Sequence, residues 1–238
     1  MLGKEDTAVR GNFLSALAMF IAVSVTFINV INPILVLVGI GIGAIIGSLI
    51  ALKVKMTSIP EMVALFNGFG GLATFFIAWS EFNSIPSNNF QYLLVMITTY
   101  IGGVTFSGSV IAYGKLSETL KVEKSSIITK LFTTLFYISI IYLLYSIFIT
   151  KIFSPGFDFY TILLILTLLG GVGFVIPIGG GDMPVVISLL NSFSGIAAAF
   201  AGLLLLNNVL IVAGSLVGAS GLILTIIMAK AMNRSIGN

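Results

Sequence analysis

Eight stretches of about twenty apolar residues, parted by short polar breaks, dictate what this chain can fold into. They run approximately from Phe13 to Val30, Ile34 to Leu52, Met62 to Trp79, Tyr92 to Tyr113, Ile127 to Thr150, Phe157 to Ile178, Val185 to Leu206 and Val209 to Met232. A helix of ~20 residues crosses the ~30 Å hydrocarbon layer of a bilayer. Lipid offers the backbone no hydrogen-bond partner, so each stretch must satisfy its own N–H and C=O groups as a helix. Charged residues make up 8% of the 238 residues, against ~25% in soluble domains. Eight spans and their loops leave no room for a soluble domain of ~100 residues. The expected fold class is an all-α integral membrane protein, a bundle of about eight transmembrane helices. Residues 1–12 form an N-terminal segment and residues 13–232 the transmembrane domain.

The breaks and the charges support that division. Pro33, Pro60, Pro86, Pro155 and Pro184 fall in or beside the breaks, where proline suits a helix start, and Pro177 lies near the end of the sixth stretch. With eight crossings, Lys4, Arg10, Lys53, Lys55, Lys115, Lys121, Lys124, Lys130, Lys230 and Arg234 all fall on one side, and Lys151 alone on the other. The positive-inside rule then puts both termini in the cytoplasm, or in the matrix of an organelle. Residues Met1 to Arg10 are mixed in charge and do not open a signal peptide.

Several chemistries are excluded by what is missing. Without cysteine there is no disulfide, thiolate metal site or cysteine nucleophile. Without histidine the commonest general base and the usual transition-metal ligand are gone. Neither Gly39-Ile40-Gly41-Ile42-Gly43 nor Gly179-Gly180-Gly181-Asp182 has the context of a nucleotide-binding loop. The net charge of +3 reads as membrane topology and not as affinity for nucleic acid.

The helices are not alike. Helix 5 has no glycine and is rich in Phe, Tyr, Ile and Leu, which suits a lipid-facing position. Helix 2 carries Gly39, Gly43 and Gly47, and helix 8 carries Gly214, Gly218 and Gly221. Small residues so spaced allow close approach of helices in lipid, and helix packing is the plain reading of both. Polar stripes run along three other helices: Asn67, Gly71, Thr74 and Ala78; Thr98, Gly102, Thr105 and Ser109; and Ser188, Asn191, Ser192, Gly195 and Ala199. A polar face in hydrocarbon turns inward, so the three together can line one narrow hydrated path. Interhelical hydrogen bonding, at ~0.6 kcal/mol per contact, is the simpler account of the serines and threonines. Asn67 and Asn191 demand more, because an amide in the membrane needs several partners. Asp182 has two readings, an N-cap for helix 7 ahead of Pro184 and a titrating group at the mouth of the path. Glu61 suits the first turn of helix 3 on dipole grounds alone.

Three segments carry a resemblance. GDMPVVISLLNSFSGIAAAFAGLLLLNNVLIVAGSLVGASGLILTIIMAKAMNRS (Gly181 to Ser235), MTSIPEMVALFNGFGGLA (Met56 to Ala73) and GGVTFSGSVIAYGKL (Gly102 to Leu116) resemble the membrane domain of the beta subunit of proton-translocating nicotinamide nucleotide transhydrogenase. The likeness covers nearly the whole chain. It implies a proton-conducting part of a complex whose soluble domains bind NAD(H) and NADP(H) and pass hydride between them. No hydride-transfer site and no bound cofactor are expected in this chain. The resemblance further implies that Asp182, Asn191 and Ser109 belong to the proton path, to which the polar stripes add Asn67, Thr105 and Ser188. It makes Gly214, Gly218 and Gly221 a close-packed helix face. Lys230 and Arg234 would stand in a basic hinge, residues 233–238 being its start toward an NADP(H)-binding domain. The implied partners are the alpha subunit with its membrane helices and NAD(H)-binding domain, the NADP(H)-binding domain, and a second copy of the assembly in a dimer. The implied location is the bacterial inner membrane, or the mitochondrial one.

Set beside the family pattern, a further helix would precede the first one here and the NADP(H)-binding domain would follow Asn238, so a truncated form or a split subunit is expected. Some members have histidine where Asn67 stands. From the stripes alone, a secondary transporter or a simple membrane anchor remains open; the former commonly shows repeated halves and helices broken at mid-membrane, and no clear repeat is visible.

Overall fold

The computed structural model describes residues 5–28, 32–84, 86, 88–121, 126–149 and 156–234. Lys4, Lys124, Lys151, Pro155 and residues 235–238 of the expected hinge lie outside them. Among the described residues there are eight α-helices: α1 Glu5–Ile28, α2 Pro33–Lys53, α3 Ile59–Asn83, α4 Asn89–Leu116, α5 Ile127–Ile149, α6 Phe157–Val175, α7 Met183–Leu204 and α8 Asn208–Ala231. Each is long and apolar enough to cross a membrane, and no strand occurs among the described residues. Single 3₁₀ turns at Met56–Ser58 and Gly180–Asp182 lead into α3 and α7.

Helix starts follow local chemistry. Pro33, Pro60 and Pro184 occupy first-turn positions, where the missing N–H costs nothing. Asn88 and Asn207 cap α4 and α8, each side-chain oxygen accepting the backbone N–H three residues on, at 2.9 Å from Gln91 and 3.1 Å from Leu210. α1 begins eight residues before the apolar stretch does, so much of segment 1–12 is helical. α6 ends at Val175, three residues early, as Pro177 approaches.

The turn from α7 to α8 is especially tight. Leu206 adopts a left-handed φ of 52°, and the Asn207 N–H reaches back to Gly202 O at 2.8 Å. This closes α7 with the paired end bonds of a Schellman motif, while the Asn207 side chain opens α8.

The chain divides into two compact units, one up to Val54 and one from Lys55. In the first, α2 buries no residue. The second is a six-helix bundle with α4 at its centre, packed against α3, α6 and α7 and more lightly against α5. α5 leans on α6 and exposes Ile128, Leu131, Ile141, Leu144 and Phe148, as expected of a lipid-facing helix. α8 packs on α7. Two apolar clusters fill the bundle. One includes Phe82, Tyr92, Tyr160 and Leu204, with the Phe82 and Tyr160 rings stacked at 3.8 Å. The other, at the end where α3 and α7 begin, includes Ala64, Ala112, Val175, Met183, Val186 and Leu190.

Candidate functional site

The site is built on the crossing of α3 and α4. Gly71 and Gly102 meet there with no room for a side chain: a Cβ on Gly71 would lie 2.8 Å from Gly102 O, and one on Gly102 would lie 2.9 Å from Gly71 O. The close approach brings polar side chains on both helices into reach. Asn67 Nδ2 donates to Ser109 Oγ at 3.1 Å, with Ser109 fully buried and Asn67 half-buried. Thr105 and Thr98 are also fully buried, but their hydroxyls donate to their own helix, at Ile101 O and Leu94 O, each at 2.7 Å. Thr74 likewise donates to Gly71 O at 2.8 Å. Of these side chains, Asn67 and Ser109 join two helices.

The α7 stripe divides between neighbours. Ser192 donates to Gly218 O at 2.6 Å and Ser188 to Gly221 O at 3.3 Å, and Thr225 donates to Ser188 Oγ at 3.1 Å. Ser188 and Ser192 therefore fasten α7 to α8. Gly195 completes that seam, since a Cβ on it would lie 2.9 Å from Gly218 Cα. Gly214 and Gly221 belong to the same crossing: Cβ atoms there would lie 2.7 Å from Gly195 O and 2.9 Å from Ser192 Cα.

Ser194, which the stripe omitted, faces α3, with its Oγ 3.0 Å from where a Gly70 Cβ would stand. α3 and α7 run in the same direction, since the early part of each contributes to the cluster that holds Ala64 and Met183. Asn67 and Asn191 each lie three residues, ~4.5 Å of helix rise, before that Gly70–Ser194 contact. They therefore stand at one level. Asn191 is exposed, and an exposed amide within an apolar helix must face water or another helix.

Beyond the Ala64–Ala112–Met183 cluster lies a charged end. Asp182 occupies the N-cap position of α7, but its side chain makes no capping bond. Its Oδ1 lies instead 3.4 Å from Arg234 Nε, with the two side chains 29% and 62% exposed. Arg234 is placed by its own backbone. Asn233 takes a left-handed φ of 53°, and the Arg234 N–H closes on Ala229 O at 2.8 Å, a second Schellman ending. Lys230 is exposed in the last turn of α8.

Sequence reasoning singled out no role for Lys115. Its Nζ donates to Ile178 O at 2.6 Å, to Val175 O at 3.3 Å and to Ile176 O. Those acceptors are backbone carbonyls about sixty residues away, so no side-chain pattern announces them.

Two comparisons bear on what such an arrangement belongs to. The sequence matches the family of the NAD(P) transhydrogenase beta subunit over residues 1–238. Two curated relatives, both NAD(P) transhydrogenase subunit beta of Rhodospirillum rubrum, are each 38% identical over 248 aligned residues. The alignment takes in 100% of this chain and 53% of each relative, so the chain spans about half the length of the curated relatives it matches. The family match over the whole chain and the helical membrane architecture agree on one conclusion: the chain belongs to the NAD(P) transhydrogenase beta subunit family.

Proposed function

We propose that this chain is the proton-conducting membrane part of a transhydrogenase, coupling proton movement to hydride transfer between NADH and NADP⁺ in partner soluble domains. The observation that carries this reading is the Asn67–Ser109 hydrogen bond inside the α3–α4 crossing, in a chain of the transhydrogenase beta family. Asn191 stands at the same level on α7.

Neutral amides and hydroxyls orient water and relay a proton without holding charge. Such a path has no store of its own, so direction comes from access at its ends. The Asp182–Arg234 contact supplies a gate of suitable strength. A pair so exposed contributes about 0–1 kcal/mol, and a modest movement beyond Arg234 breaks it. Between it and Asn67 lies the apolar cluster of Ala64, Ala112, Met183 and Leu190, which excludes water until the helices shift. In this reading, NADP(H) redox state acts on Arg234, Arg234 on Asp182, and Asp182 on access to the path.

The partners in this proposal are an alpha subunit with membrane helices and an NAD(H)-binding domain, an NADP(H)-binding domain, and a second copy of the assembly. The membrane is the bacterial inner membrane, with the Asp182 end toward the cytoplasm. The test reconstitutes the chain with its alpha partner and an NADP(H)-binding domain in proteoliposomes. A pH-sensitive dye follows the lumen during hydride transfer from NADPH to an NAD⁺ analogue. An ionophore-sensitive signal, lost in Asp182→Asn with assembly intact, is the expected result. Hydride transfer with no proton movement in the unsubstituted complex sinks the proposal.

A further inference from the structure

The charged end holds one more element than the gate needs. α6 stops at Val175, leaving carbonyls without intrahelical partners. The chain then turns, with the Ile178 N–H on Val175 O at 3.1 Å, and this turn is met from another helix: Lys115, in the last turn of α4, directs its Nζ to Val175 O, Ile176 O and Ile178 O. A cation at a helix C-terminus is favoured by the dipole as well as by the hydrogen bonds.

Immediately after Ile178 comes Gly179-Gly180-Gly181, then Asp182. A Cβ on Gly180 or Gly181 would meet nothing within 4 Å. Nothing packs on these two glycines; the backbone bonds of the 3₁₀ turn, Asp182 N–H to Gly179 O at 3.1 Å among them, shape the linker, and glycine backbone is the least restricted of all once they break. Its far end is held by Met183, which is fully buried, and its near end by Lys115. Six residues back from Lys115 on α4, ~9 Å along a rigid helix, stands Ser109.

We propose that Lys115 is a positioning residue for the Asp182–Arg234 contact, pinning the start of the glycine linker to the helix that carries Ser109. The proposal rests on the reading of Asp182–Arg234 as the gate. With the linker anchored, displacement of Arg234 moves Asp182 against α4; with it loose, the glycines absorb the movement. Lys115 thus links the gate to the Asn67–Ser109 crossing through one helix.

The chain contains no cysteine, so in the reconstituted complex a single Gly181→Cys reports on the linker through the rate at which a water-soluble maleimide labels this chain, separated from its partners by electrophoresis. Lys115→Met is expected to raise that rate roughly tenfold, the weight of one charge-assisted hydrogen bond. Without the reporter cysteine, it lowers proton-coupled turnover per assembled complex by a similar factor. Lys115→Arg restores both, because it keeps charge and donors. An unchanged modification rate overturns the proposal even if turnover falls, since Lys115 then acts elsewhere. Faster modification with unchanged turnover overturns it too. Should Lys115→Met fail to assemble, Lys115→Gln, with two N–H donors and no charge, makes the same comparison and gives intermediate values. If the unsubstituted complex transfers hydride without moving protons, the proposed function fails, while the modification rates still judge what Lys115 holds.

Discussion

α2 and α8 carry nearly the same glycine pattern and meet opposite fates. Gly39, Gly43 and Gly47 fall at four-residue steps on α2; Gly214 and Gly218 do so on α8, with Gly221 three further on. Every one of the α8 glycines is pressed against α7 backbone or side chain, whereas a Cβ at any of the α2 positions would meet nothing within 4 Å. The difference lies in what the other helix offers. α7 brings its own glycine, Gly195, opposite Gly214 and Gly218, and two serines whose hydroxyls bond α8 carbonyls. A three-residue turn also holds the two helices in register. Small residues permit close approach; hydrogen bonds, shape and a short connection decide whether it happens.

The largest effect that would test this contrast comes from filling the packed groove. In Gly214→Leu the first added atom lands 2.7 Å from Gly195 O and 2.9 Å from Ala199 Cα, and backbone cannot step aside as a flexible side chain can. Overpacking of this kind costs about 3 kcal/mol or more. The expected outcome is loss of folded protein in mild detergent or a steep fall in melting temperature. A melting curve like that of the unsubstituted chain would mean that the α7–α8 crossing is looser than its geometry.

The same contrast shows what could be read before any coordinates. Length and apolarity marked all eight helices, since a backbone in lipid has one way to satisfy itself. Prolines marked the entries to α2, α3 and α7. Asn67 and Ser109 were legible because their stripes are narrow and meet at matched glycines. The α7 stripe was not legible as a unit. At about 100° per residue, Asn191 lies ~60° to one side of Ser188, which lies ~40° from Ser192. Such a width spans two neighbours, and only tertiary packing says where one ends. Hence Ser188 serves α8, Asn191 stays exposed, and Ser194, outside the stripe, lies against α3. Asp182 was placed correctly at the start of α7, but a side chain free to choose took Arg234 over the helix N–H groups. Lys115 was out of reach for a simpler reason: its acceptors are carbonyls, which every residue carries.

A smaller effect sharpens the role of the hydroxyls. Ser192→Ala deletes the 2.6 Å bond to Gly218 O without adding bulk. The loss is expected near 0.6 kcal/mol, the average for interhelical bonds in membranes, so a detergent melt should move by only a few degrees. A shift rivalling that of Gly214→Leu would make hydrogen bonding, rather than glycine shape, the main support of this seam.

The smallest effect is the one on which the contrast depends most. Gly43→Leu puts an isobutyl group where nothing lies within 4 Å. It also replaces the poorest helix former but proline with one of the best, a change favouring helix by about 0.8 kcal/mol in peptides. Within the chain alone the melt is therefore expected to stay within ~0.5 kcal/mol of the unsubstituted one, or to rise slightly. The comparison with Gly214→Leu controls for the substitution itself, since the residue type and the added volume are the same and only the surroundings differ. If the two variants fell equally, the α2 stripe would be packed in the folded chain, and the contrast between the helices would collapse. If Gly43→Leu is silent in the isolated chain but lowers the yield of complex with the alpha partner, the α2 glycines are a packing face whose other half lies in another polypeptide. The same four-residue spacing would then serve folding in α8 and assembly in α2.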